Sequence, residues 1–376
     1  MTAEQGTAGH GAADAITRQP LVIAEQGHFF TNVKEVEHEF GTSVTGMHVQ
    51  YQIPVDVRHD PLVLVHGGGG QGLDMLATPD GREGWATLFL RQGFPVYVVD
   101  RPGMGRSPYH PALFGPPGPP AVYGGLGASF AGPAPDGMPE HTQWPGDGSR
   151  EDPALAQFLA GQESFPASLA AAHEAMRDGA AALLDRIGPS VVLTHSMGSA
   201  FGWLAADVRW EQVRAIVAVE PLGPPFVLLA GIGKIRYGLT AIPLSFGTDE
   251  IGGEAQLTLG DLPIAVVTAQ SSGHGPADRQ TAEYLRRCGA RVTEMRLAEL
   301  GIHGNGHAMM LEKNNAEIVT AITRWITGVL GTTGDGTTGD GTTGDGTASH
   351  TVQTVHTSTG HTSATIETSA TSSSDS

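Results

Sequence analysis

The chain has 376 residues, of which 40% are hydrophobic, enough for one large domain or two smaller ones. Its formal charge of −18 would repel nucleic acid and anionic membrane surfaces, so neither is an expected partner. The lone Cys288 rules out an intramolecular disulfide and fits a reducing compartment.

The first residues are polar and Gly/Ala-rich, without the apolar run after a basic start that marks a secretory signal. No uncharged apolar stretch is long enough to span a bilayer; the nearest, residues 225–246, carries Lys234 and Arg236 and is broken by Gly and Pro. A soluble, cytoplasmic protein is expected. Residues 1–20 read as a disordered N-terminus and residues 21–330 as one catalytic domain. From Gly331 the sequence G-T-T-G-D repeats three times and runs into a Ser/Thr-rich end, so residues 331–376 read as a disordered tail with too little apolar surface to offset ordering.

Between these ends the chain alternates β-branched apolar runs with helical stretches, the pattern of an α/β fold with a mostly parallel sheet. Residues 28–36 and 47–53 read as two antiparallel entry strands, followed by strands at 62–65, 96–99, 191–194, 215–219, 264–268 and 292–297. Helices are expected at 85–92, 168–187, 196–207, 277–288 and 315–330; the second stops at Gly188-Pro189. Two stretches break this rhythm, the Pro/Gly-rich residues 107–165 and residues 221–261, and both read as lid-like insertions roofing a site. Phe226, Leu228 and Leu229 are candidate roof residues.

Four motifs lie at strand ends. The run H-G-G-G-G-Q-G, from His66, leaves backbone N–H groups free at the end of its strand, as an oxyanion hole requires. A phosphate loop would need a following Gly-Lys-Ser/Thr, which is missing. His66 itself reads as a structural hydrogen-bonder. The run D-R-P-G-M-G-R-S, from Asp100, lacks the third glycine of a dinucleotide fingerprint, since Pro108 holds its place, and reads as a structural wall of the site. T-H-S-M-G, from Thr194, sits between a strand and a small-residue helix. A sharp turn there exposes the Ser196 hydroxyl as a nucleophile, although Thr194 replaces the usual leading glycine.

G-I-H-G-N-G-H, from Gly301, follows the last strand, where the base belongs in this chain order. Of its two histidines, His307 stands just ahead of the last helix and is the candidate base, with His303 structural. A metal pair is not expected, because the two histidines flank Gly-Asn-Gly and lack the glutamate of a zinc-protease helix. The acid is sought after the next-to-last strand, where A-Q-S-S-G-H-G-P-A-D offers only the distant Asp278. Glu220 directly follows the strand at 215–219, and a buried carboxylate there needs a partner that an imidazolium would supply. Glu220 is therefore the candidate acid and Asp278 the alternative.

Together these stretches resemble the α/β-hydrolase superfamily over about residues 29–330. With T-P-D-G-R-E-G-W (from Thr78) and V-E-P (from Val219), they are similar to a branch of bacterial and fungal carboxylesterases. That resemblance implies an α/β-hydrolase fold and a triad of Ser196, Glu220 and His307, with the acid after the sixth strand. It also implies oxyanion donors from Gly68 or Gly69 and from Met197. The expected activity is cofactor-free hydrolysis of a small-molecule carboxylic ester through an acyl-enzyme. Lactone, thioester or C–C hydrolysis on the same triad, or a catalytically silent binding protein, are the alternatives. T-P-D-G-R-E-G-W has no chemical reading of its own beyond Trp85 in the core, and the sequence leaves the oligomeric state open.

Overall fold

The computed structural model describes residues 20–164, 166–229, 233–246 and 259–331. The N-terminal stretch up to residue 19, part of the second insertion and the tail beyond Gly331 lie outside them. Ten strands are described: β1 (Ile23–His38), β2 (Gly41–Pro54), β3 (Leu62–Val65), β4 (Val96–Val99), β5 (Ser190–His195), β6 (Val213–Val219), β7 (Leu228–Leu229), β8 (Gly233–Lys234), β9 (Pro263–Thr268) and β10 (Arg291–Arg296). The nine α-helices among the described residues are α1 (Leu73–Leu76), α2 (Trp85–Arg91), α3 (Pro111–Phe114), α4 (Ala128–Ala131), α5 (Pro153–Ala160), α6 (Leu169–Ile187), α7 (Ser199–Arg209), α8 (Gly275–Arg287) and α9 (Asn315–Leu330).

Eight strands form one sheet in the order β1-β2-β4-β3-β5-β6-β9-β10, while β7 and β8 pair separately. β1, β2 and β4 pair antiparallel, and β4, β3, β5, β6, β9 and β10 run parallel. The period-2 pattern of the central strands divides their side chains between two cores. Leu62, Leu64, Val191, Leu193, Ala215, Val217, Ala265 and Val267 face one core with residues of α2, α5 and α9. Val63, Val65, Val192, Ile216, Ala218, Ile264 and Val266 face the other with residues of α6, α7 and α8. The result is a three-layer sandwich with helices on both faces, the arrangement that buried parallel strands require.

The expected sheet strands match this sheet, with ends shifted by up to six residues at the entry pair. The helix expected from Ser196 begins instead as a 3-10 turn, Ser196–Gly198, with α7 following at Ser199. α6 starts where the Ser168 hydroxyl accepts the Ala171 N–H at 3.2 Å and ends at Gly188, whose φ of +81° turns the chain out of the helix. The first insertion holds three short helices, α3 to α5, and a π-turn at Tyr123–Gly127.

Of the proposed roof residues, only Leu229 packs in the small cluster that holds Met197, Leu169, Leu222 and Ile235. Phe226 instead packs edge-on against Tyr284 of α8, and Leu228 is exposed. The β7–β8 hairpin reverses the chain here, which alternation along an extended segment does not anticipate.

Leu193 lies fully buried three residues before Ser196. Leu193→Ala is expected to lower unfolding free energy by about 2–5 kcal/mol, as read by urea denaturation.

Candidate active site

Ser196 is the first residue beyond β5, with φ +51°, a left-handed conformation costly for a residue with a Cβ. The turn is held by close packing. A Cβ on Gly198 would collide with the His66 carbonyl, and one on Gly67 would come within 2.6 Å of the His195 ring. Glycine is needed at both because the loop after β3 lies directly on this turn. One turn along α7, a Cβ on Gly202 would meet the Thr194 methyl at 3.4 Å.

Glu220 is the corresponding residue beyond β6, fully buried and also left-handed at φ +40°. One carboxylate oxygen accepts the Ala269 N–H at 2.8 Å and the Ser272 hydroxyl. The other is 2.6 Å from His307 Nδ1. Burial pushes the Glu220 carboxyl up, but the His307 hydrogen bond and the neighbouring His274 and His307 rings hold it below its ordinary 4.5. A carboxylate only accepts, so His307 Nδ1 carries the proton. Nε2 is then free to accept the Ser196 hydroxyl, 3.0 Å away.

The glycine loop after β3 completes this arrangement. A Cβ on Gly68 would strike the Met197 sulfur, and Gly69 turns at φ +71°. Among the described residues no acceptor takes the backbone N–H of Gly68, Gly69 or Met197. His66 accepts the Arg101 N–H at Nε2 (3.0 Å) and donates from Nδ1 to the Gly67 carbonyl (2.9 Å). Burial and the Arg101 charge lower its pKa to about 3, so it is a neutral brace for the loop. Asp100 accepts from the Gly72 N–H at 2.6 Å and from Arg106, anchoring the same loop to the end of β4.

The two alternatives stand apart. His303 is exposed and meets the insertion only through its carbonyl, which accepts from Gln143. Asp278 is buried on α8 and accepts the Thr268 hydroxyl at 2.7 Å. Burial and the Glu220 charge push it up to about 8, so at neutral pH it is protonated and cannot stabilise a cation.

Among the described residues, Glu220, His274 and His307 are the one trio of metal-type donors within 4.8 Å of one another. The two rings are parallel to within 9°, so their in-plane lone pairs point into separate planes. A zinc ion needs each nitrogen at about 2.0–2.1 Å in its ring plane, and this stack does not offer that.

Comparison with known proteins agrees with this architecture. Residues 60–240 match the family described as alpha/beta hydrolase fold. A curated relative, "Probable secreted lipase phiG" of Fungal sp. (strain ATCC 74256), is 37% identical over 302 residues, covering 71% of this chain and 81% of the relative. The chain belongs to the α/β-hydrolase superfamily. A solved structure described as a novel bacterial esterase superposes on this α/β hydrolase with a TM-score of 0.63 at 24% identity, covering 83% of this chain and 98% of that one. No described helix is long and apolar enough to cross a membrane.

Several residues of this hydrolase hold the His307 loop without having stood out in the sequence. Arg82, in the T-P-D-G-R-E-G-W stretch, donates to the carbonyls of Leu311 (3.0 Å) and Glu312 (2.9 Å) and is braced by Asp80. The fully buried Glu312 accepts from the Gly306 N–H (2.8 Å), the Asn305 amide (2.5 Å) and His141 (2.6 Å). His195 Nε2 donates to the His307 carbonyl at 3.0 Å, joining the serine turn to the base loop. Their partners lie up to 230 residues away, so no local pattern marks them.

His141 belongs to the first insertion, and its pair with Glu312 ties that insertion to the base loop. Burial lowers its pKa, but the Glu312 hydrogen bond and charge outweigh that and raise it above the ordinary 6.5. The pair's contribution is full below that unfolded value and lost as pH rises through the raised folded value. Wild-type Tm is therefore expected to fall as pH rises above about 6.5, and His141→Asn to flatten that fall in a pH series of thermal melts.

Proposed function

We propose that the chain hydrolyses carboxylic esters, with Ser196 as nucleophile, His307 as base and Glu220 as acid. The observation that carries this reading is the unbroken hydrogen-bonded line from Ser196 Oγ through the His307 ring to Glu220. His307 Nε2 takes the serine proton as Oγ attacks the ester carbonyl, and Glu220 stabilises the imidazolium that forms. The carbonyl oxygen becomes an oxyanion against the N–H groups of Met197 and of Gly68 or Gly69, which have no other acceptor among the described residues. The imidazolium protonates the leaving alcohol. Water, deprotonated by the same ring, then releases the acid from Ser196.

The lipase and esterase relatives support a small-molecule ester substrate. The secreted relative also favours export over the cytoplasmic placement expected from composition. One buried cysteine suits either compartment, since it can form no internal disulfide.

A panel of p-nitrophenyl esters of increasing chain length, with parallel lactone and thioester substrates, reads the reaction class. Ser196→Ala is expected to fold and to lose about 10⁴-fold or more in kcat, together with covalent labelling by a fluorophosphonate. Near-native turnover in that variant would overturn the reading, and absence of labelling in the wild type would point to a silent binding scaffold.

Glu220→Gln separates the acid from its alternative. It is expected to cut kcat/KM by about 10²–10⁴-fold and to move the acid limb of the pH profile down, because the imidazolium loses its counter-charge. Asp278→Asn is expected to stay within about threefold of wild type, since the native group is already uncharged at neutral pH. The reverse pattern would move the acid to Asp278.

A further inference from the structure

The loop between β9 and α8 holds a histidine that the mechanism above does not use. His274 stacks on the ring of His307, with centroids 4.3 Å apart and planes within 9° of parallel. The same His307 ring meets Phe130 edge-on at 4.9 Å and His195 at 4.5 Å. His274 is also coupled to the acid. Its N–H donates to the Ser272 hydroxyl at 3.2 Å, and that hydroxyl donates to Glu220. Its carbonyl accepts the Asp278 N–H at 3.0 Å as α8 begins, which fixes its backbone.

We propose that His274 is a positioning residue: its imidazole, stacked on His307, holds the base in the plane where Nδ1 meets Glu220 and Nε2 meets Ser196 together. This rests on the triad reading given above.

The physical case is one of angles. An imidazole rotating about its Cβ–Cγ bond keeps one hydrogen bond easily, but two opposed bonds at 2.6 and 3.0 Å survive only a narrow range of ring orientation. A face-to-face neighbour resists tilting of the ring out of that plane, and a neutral ring also receives the imidazolium favourably. Burial lowers the His274 pKa; Glu220 opposes the shift and His307 adds to it, so the ring is uncharged near neutrality. The titratable groups that interact with it are Glu220 at the end of β6, His307 on its own loop and His195 at the end of β5, and Asp278 lies one turn along α8. In acid, a proton gained by His274 would set a charge against the His307 ring.

The test compares His274→Ala with His274→Phe, using Ser196→Ala and fluorophosphonate labelling as controls on the triad itself. His274→Ala is expected to lower kcat about tenfold with KM within about twofold, because the loss acts on the orientation of the base. His274→Phe, which keeps an aromatic stack, is expected to recover most of that loss. A second readout is the acid limb of log kcat/KM. Wild type should fall more steeply in acid than the phenylalanine variant, because only wild type can gain a proton on the stacked ring.

An alanine variant with wild-type kcat overturns the proposal, as does a folded phenylalanine variant no better than alanine. If alanine does not fold, His274→Leu, which keeps bulk without a flat ring face, takes its place, and a leucine variant with wild-type kcat overturns the proposal. Turnover surviving in Ser196→Ala would instead defeat the triad reading, so the two failures are distinguishable.

Discussion

The buried carboxylate of Glu220 is the constraint around which the catalytic end of this sheet is organised. An isolated carboxylate in a protein interior costs several kcal/mol even after relaxation, and it stays charged only if every lone pair finds a donor. Here a backbone N–H, a serine hydroxyl and an imidazole N–H meet that demand. Two of the three donors, Ala269 and Ser272, come from the loop after β9, where the sequence first directed the search for the acid. With the proposed acid one strand inward, at the end of β6, that loop holds it from outside.

The proposed base is held differently. His307 sits on a loop with no regular structure of its own, and its position comes from groups remote in sequence. Arg82 gathers the carbonyls at 311–312, Glu312 gathers Gly306, Asn305 and His141, and His195 takes the His307 carbonyl. Gln143 and Thr142 of the first insertion also donate their N–H groups to Gly304. The Pro/Gly-rich insertion is thus more than a cover: part of it is a wall of the base loop.

Much of this was legible in the chain. β-branched and apolar runs marked the central strands of the main sheet, because a strand buried on both faces must be apolar almost throughout, and the small residues of 196–202 marked the crowded turn. Glu220 stood out because a charge at the end of such a strand is anomalous. What stayed hidden was of one kind. Arg82, His141, Glu312 and His195 act through partners that only the fold brings near, and a lone Arg or His carries no period. T-P-D-G-R-E-G-W had no chemical meaning until Arg82 met the loop beyond His307. Phe226 and Leu228 misled for the converse reason: apolar residues after a strand look alike whether they roof a site, pack on α8 or face solvent.

The proposed nucleophile and acid also share a geometric origin. In the β5–β6 register His195 pairs with Val219, so Ser196 and Glu220 are the residues that immediately follow one cross-strand pair. Both are non-glycine residues forced to positive φ, at about 1–2 kcal/mol each. That strain is sustained by the sheet: Ser196 leads into α7 through its 3-10 turn, and the Glu220 N–H is fixed to the Val267 carbonyl of β9 at 2.9 Å. Parallel neighbours that end in step turn two adjacent backbones out of the sheet at the same level. Their side chains then need only one imidazole between them to be joined. The separation of Ser196 and Glu220 is therefore a property of strand register, as rigid as the sheet, whereas His307 comes from a tethered loop. It follows that substitutions in the tethers should alter how well the ring bridges the two ends, while those in β5 and β6 should alter whether the two ends exist at all.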